Sequence, residues 1–227
     1  MGHLMFNRVR VIGKGRVGSA ISARLAERGV ELREDNAELV LLCVPDSAIP
    51  EVAGGIEPGR WMAHTSGGTP LAALDPHTRR FGLHPLQTFT RARGPEQLDG
   101  AYAAVSAESE DARALGFELA ELLGLRPFAL QDEDRALYHA GAVVASNFLV
   151  TLHDAAVELV GAAGAPAEAL EPLMRRVIEN RFELTGPIAR GDWETVERHL
   201  EAIRARRPSL EPLYRTLSNA TEALALR

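Results

Sequence analysis

The chain has 227 residues, enough for one large or two small domains, and 46% of them are hydrophobic. Its net charge of −6, with no long basic run, argues against nucleic acid as the main partner. A single cysteine, Cys43, excludes an intrachain disulfide. No apolar run approaches the ~20 residues of a membrane span, so we expect a cytoplasmic protein with no membrane partner.

The N-terminal part has the pattern of a strand, a glycine turn, a helix and a central strand. Residues 8–29 place a β-branched run before the glycines and apolar residues at helical spacing after them. The continuous apolar run Leu39–Val44 predicts a strand covered on both faces. Further strands are predicted at 60–64, 79–84 and 101–106, and a helix at 109–124. This alternation predicts a parallel sheet.

The pattern changes near Gln131, after which only helices are predicted. We therefore divide the chain into an α/β domain at 1–130 and an all-helical domain at 131–227. A helix of about 30 residues, roughly 45 Å long, is expected from Asp132 to Val160. Shorter helices are expected at 166–182, 192–206 and 208–225.

The glycines after the first strand form a G-x-G-x-x-G motif. Strand before and helix after are the context that such a dinucleotide-binding motif needs. Phosphate would lie at the helix N-terminus, and two cations in the loop favour an anion. We assign cofactor binding to Gly13, Lys14, Gly15, Arg16, Val17 and Gly18. The alternative is a glycine-rich turn that binds nothing.

The next segment would read the ribose of the cofactor. Arg33 would suit a 2′-phosphate, whereas Glu34 or Asp35 would suit a 2′-hydroxyl. Because of Arg33 we favour NADP over NAD. Only Glu34–Glu38 separate this segment from the central strand, too few residues for a complete parallel crossover. The second strand must be short or irregular, or the third strand and its helix are missing. We therefore expect weak cofactor binding.

Four longer motifs carry a family resemblance. They are SGGTPLAAL at 66–74, GLHPLQTF at 82–89, YHAGAVVASNFLVTL at 138–152 and LTGPIARGDWETVERHL at 184–200. From about Val9 to Ala223 the chain resembles uncharacterised bacterial Rossmann-like proteins. Their C-terminal half is a domain of unknown function, and their fold is that of the 6-phosphogluconate dehydrogenase-like superfamily. The resemblance implies an NADP-dependent oxidoreductase that forms a homodimer through the helical domain. The shortened 30–38 segment departs from this family.

A looser likeness links the chain to prephenate dehydrogenases. His84-Pro85 and His139 are the matching positions, but the fuller histidine-serine-histidine pattern is missing. Relatives that use a catalytic lysine are poor functional guides, because Lys14 is the only lysine in the chain.

Histidine suits proton transfer near a nicotinamide, because its ordinary pKa is close to neutrality. On one continuous helix His139 and Ser146 share a face, and Asn147 lies on its flank. We predict His139 as acid or base, with Asn147 orienting substrate or nicotinamide and Ser146 lining the substrate site. The alternative is a packing face in which His139 is a hydrogen-bonded core residue. His84, at a strand end, is a further catalytic candidate or an ordinary turn residue.

Several other positions complete the predicted site. Val44, Pro45, Ser66 and Gly67 follow predicted strands and are assigned to the cofactor. Arg190 could bind a substrate carboxylate or pair with an acid across a dimer interface. Asp192 is better explained as a helix N-cap. The seven histidines are dispersed, so no metal site is predicted.

Together these observations favour an NAD(P)-dependent oxidoreductase. It would transfer hydride to or from a small, anionic keto or hydroxy substrate. The alternative is a non-catalytic nucleotide-binding or dimeric regulatory protein with a degenerate Rossmann domain. The short 30–38 segment supports that alternative.

Overall fold

A computed structural model describes residues 6–227. Contacts divide the chain into two compact units, Met1–Val144 and Ala145–Arg227, here called the sheet unit and the helical unit. Sequence places the boundary near Gln131, where strands stop. In the structure the following turn and helix belong with the sheet, because Arg135 is buried there.

The sheet unit is a seven-stranded sheet in the order β2-β1-β3-β4-β5-β6-β7. Its strands are β1 (Arg8–Ile12), β2 (Glu31–Leu32), β3 (Leu39–Leu42), β4 (Trp61–His64), β5 (Arg80–Leu86), β6 (Tyr102–Ala107) and β7 (Arg126–Ala129). Its helices are α1 (Arg16–Glu27), α2 (Ile49–Gly54), α3 (Glu110–Leu122) and α4 (Arg135–Ala145), the last of which ends at the boundary. The predicted strands and the Rossmann-type fold class are confirmed.

The sheet is mixed, whereas the sequence predicted a parallel one. β5 and β6 pair antiparallel, and β6 and β7 then pair parallel to each other. The link between β5 and β6 contains one short 3-10 turn, Pro95–Leu98, and no crossover helix. Without a helix to carry the chain back across the sheet, β6 returns antiparallel.

The shortened segment takes the form expected from its length. β2 has two residues and pairs only with the beginning of β1, Arg8 with Glu31 and Val9 with Leu32. β3 begins opposite the same Val9 on the other side. The link between β2 and β3 therefore starts and ends at the same level of the sheet, and it needs no helix to span the length of a strand. Within the described residues no strand lies beyond β2.

The core lies on both faces of the sheet, as alternation along β3 requires. Leu39 and Leu41 point to the face covered by α1 and α3, and Val40 and Leu42 to the face covered by α2. These four side chains are fully buried. The carboxyl ends of β1, β3, β4 and β5 consequently share one edge, where ligands bind in such sheets.

The helical unit contains α5 (Asn147–Ala162), α6 (Leu170–Glu179), α7 (Trp193–Arg206) and α8 (Glu211–Ala225). The predicted helix from Asp132 to Val160 spans the right residues but is interrupted at Ser146. Ser146 leaves helical geometry with φ −120° and ψ −72°, so α4 ends before it and α5 begins after it. Helical periodicity cannot be carried across this break, and the predicted common face of His139 and Ser146 loses its basis.

One helical stretch, Asp132–Ala162, is long and apolar enough to span a membrane by length and composition alone. None of its most apolar part is buried in the structure. This corrects the expectation that no apolar run approaches such a length.

Candidate functional site

The glycine loop after β1 is built around contacts that exclude side chains. A Cβ on Gly13 would lie 2.3 Å from the carbonyl oxygen of Cys43, and φ there is +112°. A Cβ on Gly18 would lie 2.0 Å from the carbonyl oxygen of Gly13. These two glycines bring β1, β3 and α1 together, the role that the motif assigns to them.

The middle glycine has a different environment. Gly15 is the N-cap of α1, carries no side-chain cap, and has nothing within 4 Å of where a Cβ would be. Backbone N–H groups at such an end, together with the helix dipole, bind phosphate. Lys14 and Arg16 flank the opening and are exposed, and Val17 packs against the core. The loop therefore fits the pyrophosphate of a dinucleotide.

A cleft of about 460 Å³ adjoins this loop on the β2 side. It is lined by Val11, Gly13, Ser22, Leu32, Arg33 and Glu34, among others. Arg33 forms an ion pair with Glu31 at 3.0 Å, and Glu34 pairs with Arg10 at 3.1 Å. A cation and a carboxylate thus both lie where an adenosine ribose would bind, and β2 gives the cleft a short wall.

The loop after β4 is held by a buried serine. Ser66 Oγ donates to Asp46 Oδ2 at 2.8 Å and accepts the backbone N–H of Thr69 at 3.0 Å. This hydrogen bond ties the loop after β4 to the turn after β3, which contains Val44 and Pro45. Four predicted cofactor residues therefore lie together at the carboxyl edge of the sheet.

Two imidazoles pack on that loop, and a phenol packs on one of them. A Cβ on Gly67 would lie 2.6 Å from His139 Cδ2 and 2.9 Å from His84 Nε2. The rings of His84 and His139 are 5.7 Å apart, and His84 Nδ1 lies 2.8 Å from the hydroxyl of Tyr138. A glycine is required at Gly67 because both rings occupy the space of a side chain.

A buried arginine anchors the helix that carries Tyr138 and His139. Arg135 is 1% exposed and donates to Ser106 Oγ at 2.9 Å and to the carbonyl oxygen of Ser66. At the preceding turn, Asp132 accepts the N–H of Leu71 with both carboxylate oxygens at 3.0 Å. These contacts fix the start of α4 against the loops of the sheet edge.

The same arginine shapes the electrostatics of the site. Burial, and then the charges of His139 and Arg135, lower the pKa of His84 to about 4. Burial raises the pKa of Tyr138 to about 12. At neutral pH the hydrogen-bonded pair is therefore a neutral imidazole and a protonated phenol. Such a pair can hold a proton in the site and donate it to an oxygen that becomes negative.

His64, at the end of β4, has an unusual environment. It is fully buried, and neither ring nitrogen has a hydrogen-bond partner within residues 6–227. Burial, and then the charge of Arg135, lower its pKa to about 3. His64 is therefore a neutral residue of the sheet interior beneath the site.

The remaining predicted site residues lie in the helical unit. Ser146 Oγ donates to Asn147 Oδ1 at 3.0 Å, at the junction between α4 and α5. Arg190 is exposed and ends a short 3-10 turn before Gly191. Asp192 caps α7, accepting the N–H of Thr195 at 3.1 Å, as its position in the sequence predicted. Their roles in binding stay predictions.

Sequence reasoning missed Tyr138, Arg135 and Asp46. Tyr138 adjoins the chosen His139, so its chemistry was a signal within reach. Nothing in the sequence marks Arg135 as a buried guanidinium. Among the described residues 6–227, no three His, Cys, Asp or Glu side chains are grouped to hold a metal ion.

The chain belongs to the family described as Domain of unknown function (DUF2520), which it matches over residues 101–221. That range covers the last two strands, the start of α4 with Tyr138 and His139, and most of the helical unit. No curated protein matches the chain significantly in sequence.

Solved structures share its fold. A "putative NADP oxidoreductase" from Bacteroides fragilis is 24% identical, with a TM-score of 0.81 over 97% of this chain and 100% of that one. A protein from Thermotoga maritima is 24% identical, with a TM-score of 0.77 over 96% and 98%. A reductive aminase from Aspergillus terreus, in complex with NADPH and ethyl levulinate, is 16% identical, with a TM-score of 0.66 over 96% and 93%. The fold is thus that of Rossmann-like nicotinamide-dependent reductases.

Proposed function

We propose that this protein is an NAD(P)-dependent oxidoreductase whose proton-transfer groups are Tyr138, His84 and His139. The observation that carries the proposal is that the glycine loop and these three groups lie in one unit, at the carboxyl edge of the same sheet. The bound nicotinamide supplies the hydride. The side chains of the sheet edge orient the substrate and supply the proton that must accompany the hydride.

The proton is held at the Tyr138 hydroxyl, which hydrogen-bonds to His84, or at the His139 ring, which lies against Gly67 and Gly68. His84 orients the phenol through its 2.8 Å hydrogen bond. The buried positive charge of Arg135 stabilises negative charge that develops on a substrate oxygen. The same charge supports an anionic keto or hydroxy compound as substrate, with Arg190 as a further candidate for its carboxylate.

Cofactor titration is the first test of this function. Calorimetric titration of NADPH and then NADH should give binding, tighter for NADPH because Arg33 can reach a 2′-phosphate. Arg33→Gln should weaken the binding of NADPH and leave the binding of NADH unchanged. No binding of either at millimolar concentration would favour the non-catalytic alternative, for which the short β2 is the specific observation.

Activity separates the proton-transfer roles. A screen of small keto acids, with and without an amine because a structural neighbour is a reductive aminase, should reveal NADPH oxidation. Tyr138→Phe and His139→Gln should each lower kcat by about 10²–10⁴-fold with cofactor affinity retained, the usual range for general acids. Full activity in both variants would exclude these residues as the proton source.

The helical unit supports a homodimer. Neither α5 nor α6 has a buried residue, although both carry large apolar side chains. Exposed examples are Phe148, Leu149, Val150, Leu173, Val177 and Ile178. Apolar surface of this extent marks an interface. Because α6 also carries Glu171, Arg175, Arg176 and Glu179, a second copy of the chain fits this surface better than a bilayer.

Sedimentation at several concentrations tests this assembly. A dimer that dissociates in Leu149→Glu, but not in Leu226→Glu at the exposed C-terminal end, would support it. A monomer at all concentrations would contradict it. Flotation of the protein with phospholipid vesicles would instead assign the surface to a membrane.

A further inference from the structure

A basic surface lies beside the glycine loop, on the side away from β2. The loop Thr90–Gly94 follows β5 and approaches the beginning of α1. Arg16 Nη1 donates to the carbonyl oxygen of Phe89, just before this loop, at 3.4 Å. The loop lies outside the glycine motif and takes no part in the proposed proton transfer.

The loop Thr90–Gly94 is held in place by hydrogen bonds to a buried side chain. Gln97 is 3% exposed, and its amide nitrogen donates to the carbonyl oxygens of Arg93 at 2.8 Å and Gly94 at 2.9 Å. Its amide oxygen accepts the backbone N–H of Thr90 at 2.8 Å. One buried amide therefore closes both ends of the loop and fixes its backbone.

This closure presents two arginines beside the glycine loop. A cleft of about 230 Å³ is lined by Lys14 and Arg16 on one side and by Arg91 and Arg93 on the other. All four side chains are exposed, and no acidic side chain lines the cleft. Glu96 lies 3.8 Å from Arg93 and also accepts the N–H of Gly94.

Four cations around one small cleft repel one another, so the arrangement stabilises a bound anion. Guanidinium groups suit phosphate in particular, because they donate two parallel hydrogen bonds. The cleft opens at Gly15, whose side-chain space is empty and whose helix end is uncapped. The phosphate side of a nucleotide at the glycine loop would lie within this positive region.

We propose that the loop Thr90–Gly94 is a phosphate clamp. Arg91 and Arg93, held in place by Gln97, bind the pyrophosphate of a dinucleotide from the side opposite the glycine loop. Only the identity of the dinucleotide rests on the proposed function, because the clamp recognises the phosphates alone. The short β2 offers few contacts to the adenosine of the dinucleotide. The contacts of the clamp to the pyrophosphate compensate for this loss of binding affinity.

Inorganic pyrophosphate tests the clamp apart from any redox role. Calorimetric titration should give pyrophosphate binding that weakens about tenfold or more in Arg91→Gln/Arg93→Gln, the usual effect of losing charge-assisted hydrogen bonds. The affinity of the double variant for NADPH should fall by a similar factor. Arg113→Gln is the matched control, because this partly buried arginine of α3 pairs with Glu110 and does not line the cleft, so both affinities should stay unchanged.

Gln97→Leu tests the positioning role with both arginines present. The variant should lose pyrophosphate affinity to a similar extent. Its loop should also be cut faster by trypsin after Arg91 and Arg93, sites identified by mass spectrometry. In the unmodified protein, pyrophosphate should slow cleavage at these two sites and leave cleavage after Arg206 unchanged.

The outcomes separate the clamp from the proposed function. Pyrophosphate binding that depends on the two arginines, without any NADPH or NADH binding, would support the clamp and remove the oxidoreductase function. NADPH binding that is equal in the double variant and in Arg113→Gln would overturn the clamp and leave the oxidoreductase function intact. Failure of the unmodified protein to bind pyrophosphate or either dinucleotide would overturn both.

Discussion

The two units of this molecule use apolar residues in opposite ways. The sheet unit buries its apolar side chains on both faces of the sheet, with Phe81, Leu41 and Met62 fully inaccessible. In the helical unit, Ala145–Arg227, all of which the structure describes, the buried apolar residues are Val196, Leu200 and Ile203. Phe148, Val150 and Leu173 are exposed there. The sheet unit is thus stabilised by its own core, and the helical unit carries surface suited to another molecule.

Substituting matched phenylalanines should give the largest contrast between the units. Phe81→Ala removes a fully buried ring and should lower the free energy of unfolding by about 3–5 kcal/mol. Phe148→Ala, at 54% exposed in α5, should cost about 1 kcal/mol or less in dilute protein, because little burial is lost within one chain. Urea unfolding followed by circular dichroism measures both.

Protein concentration sharpens this comparison. At high concentration Phe148→Ala should become more destabilising if the ring lies in a dimer interface, whereas Phe81→Ala should not change. Equal costs for the two variants at every concentration would show that the helical unit has a core of its own.

Glycine substitutions should give the next largest contrast. Gly67→Ala places a methyl group against His139 and His84, and should cost about 1–3 kcal/mol and lower kcat. Gly161, near the end of α5, has open space around its Cβ position, so Gly161→Ala should be neutral or stabilise by about 0.5–1 kcal/mol. Thermal unfolding together with NADPH oxidation measures the pair. Unchanged kcat in Gly67→Ala would contradict the packing of the imidazoles on this loop.

Acid should weaken the sheet unit through its buried histidines. His64 and His84 have pKa values of about 3 and about 4 in the folded protein, below the ordinary 6.5. Below pH 6.5 the unfolded chain binds protons at these residues and the folded chain does not. Each histidine should therefore lower stability by about 1.4 kcal/mol per pH unit as pH falls from 6.5 toward its folded pKa.

The fluorescence of Trp61, in a Trp193→Phe background, reports this unfolding between pH 7 and 5. His64→Leu should reduce the slope of the unfolding free energy against pH by the contribution of one histidine. At pH 7 it should be neutral or stabilising, because it removes two buried nitrogens that have no hydrogen-bond partner within residues 6–227. An unchanged slope would show that His64 titrates normally.

Helix caps should give the smallest effect and the least contrast. Ser109 caps α3 in the sheet unit, and Asp192 caps α7 in the helical unit; each accepts the N–H of the third residue that follows it. Ser109→Ala and Asp192→Ala should each cost about 1 kcal/mol. A much smaller cost for Asp192→Ala, measured by urea unfolding, would indicate that α7 depends on a partner molecule rather than on its own cap.

The sequence by itself determined the elements whose signals are local. The glycine motif located β1 and α1, the apolar run located β3, and Asp192 was recognised as a cap, because turns, periodicity and caps depend on neighbouring residues. The few residues Glu34–Glu38 also excluded a complete parallel crossover, so that either the second strand had to be short or irregular or the third strand and its helix had to be missing. Each of these follows from backbone geometry over a few positions.

Only the tertiary structure decided which side chains meet. Gly67 and His84 converge because the parallel strands β4 and β5 end at one edge, and α4 brings the distant Tyr138 to His84. Arg135 is buried because the beginning of α4 packs against that edge. The antiparallel direction of β6 depended on the whole connection after β5, and the break at Ser146 had no proline or glycine to mark it. Such features arise from long-range packing, which no local pattern in the sequence records.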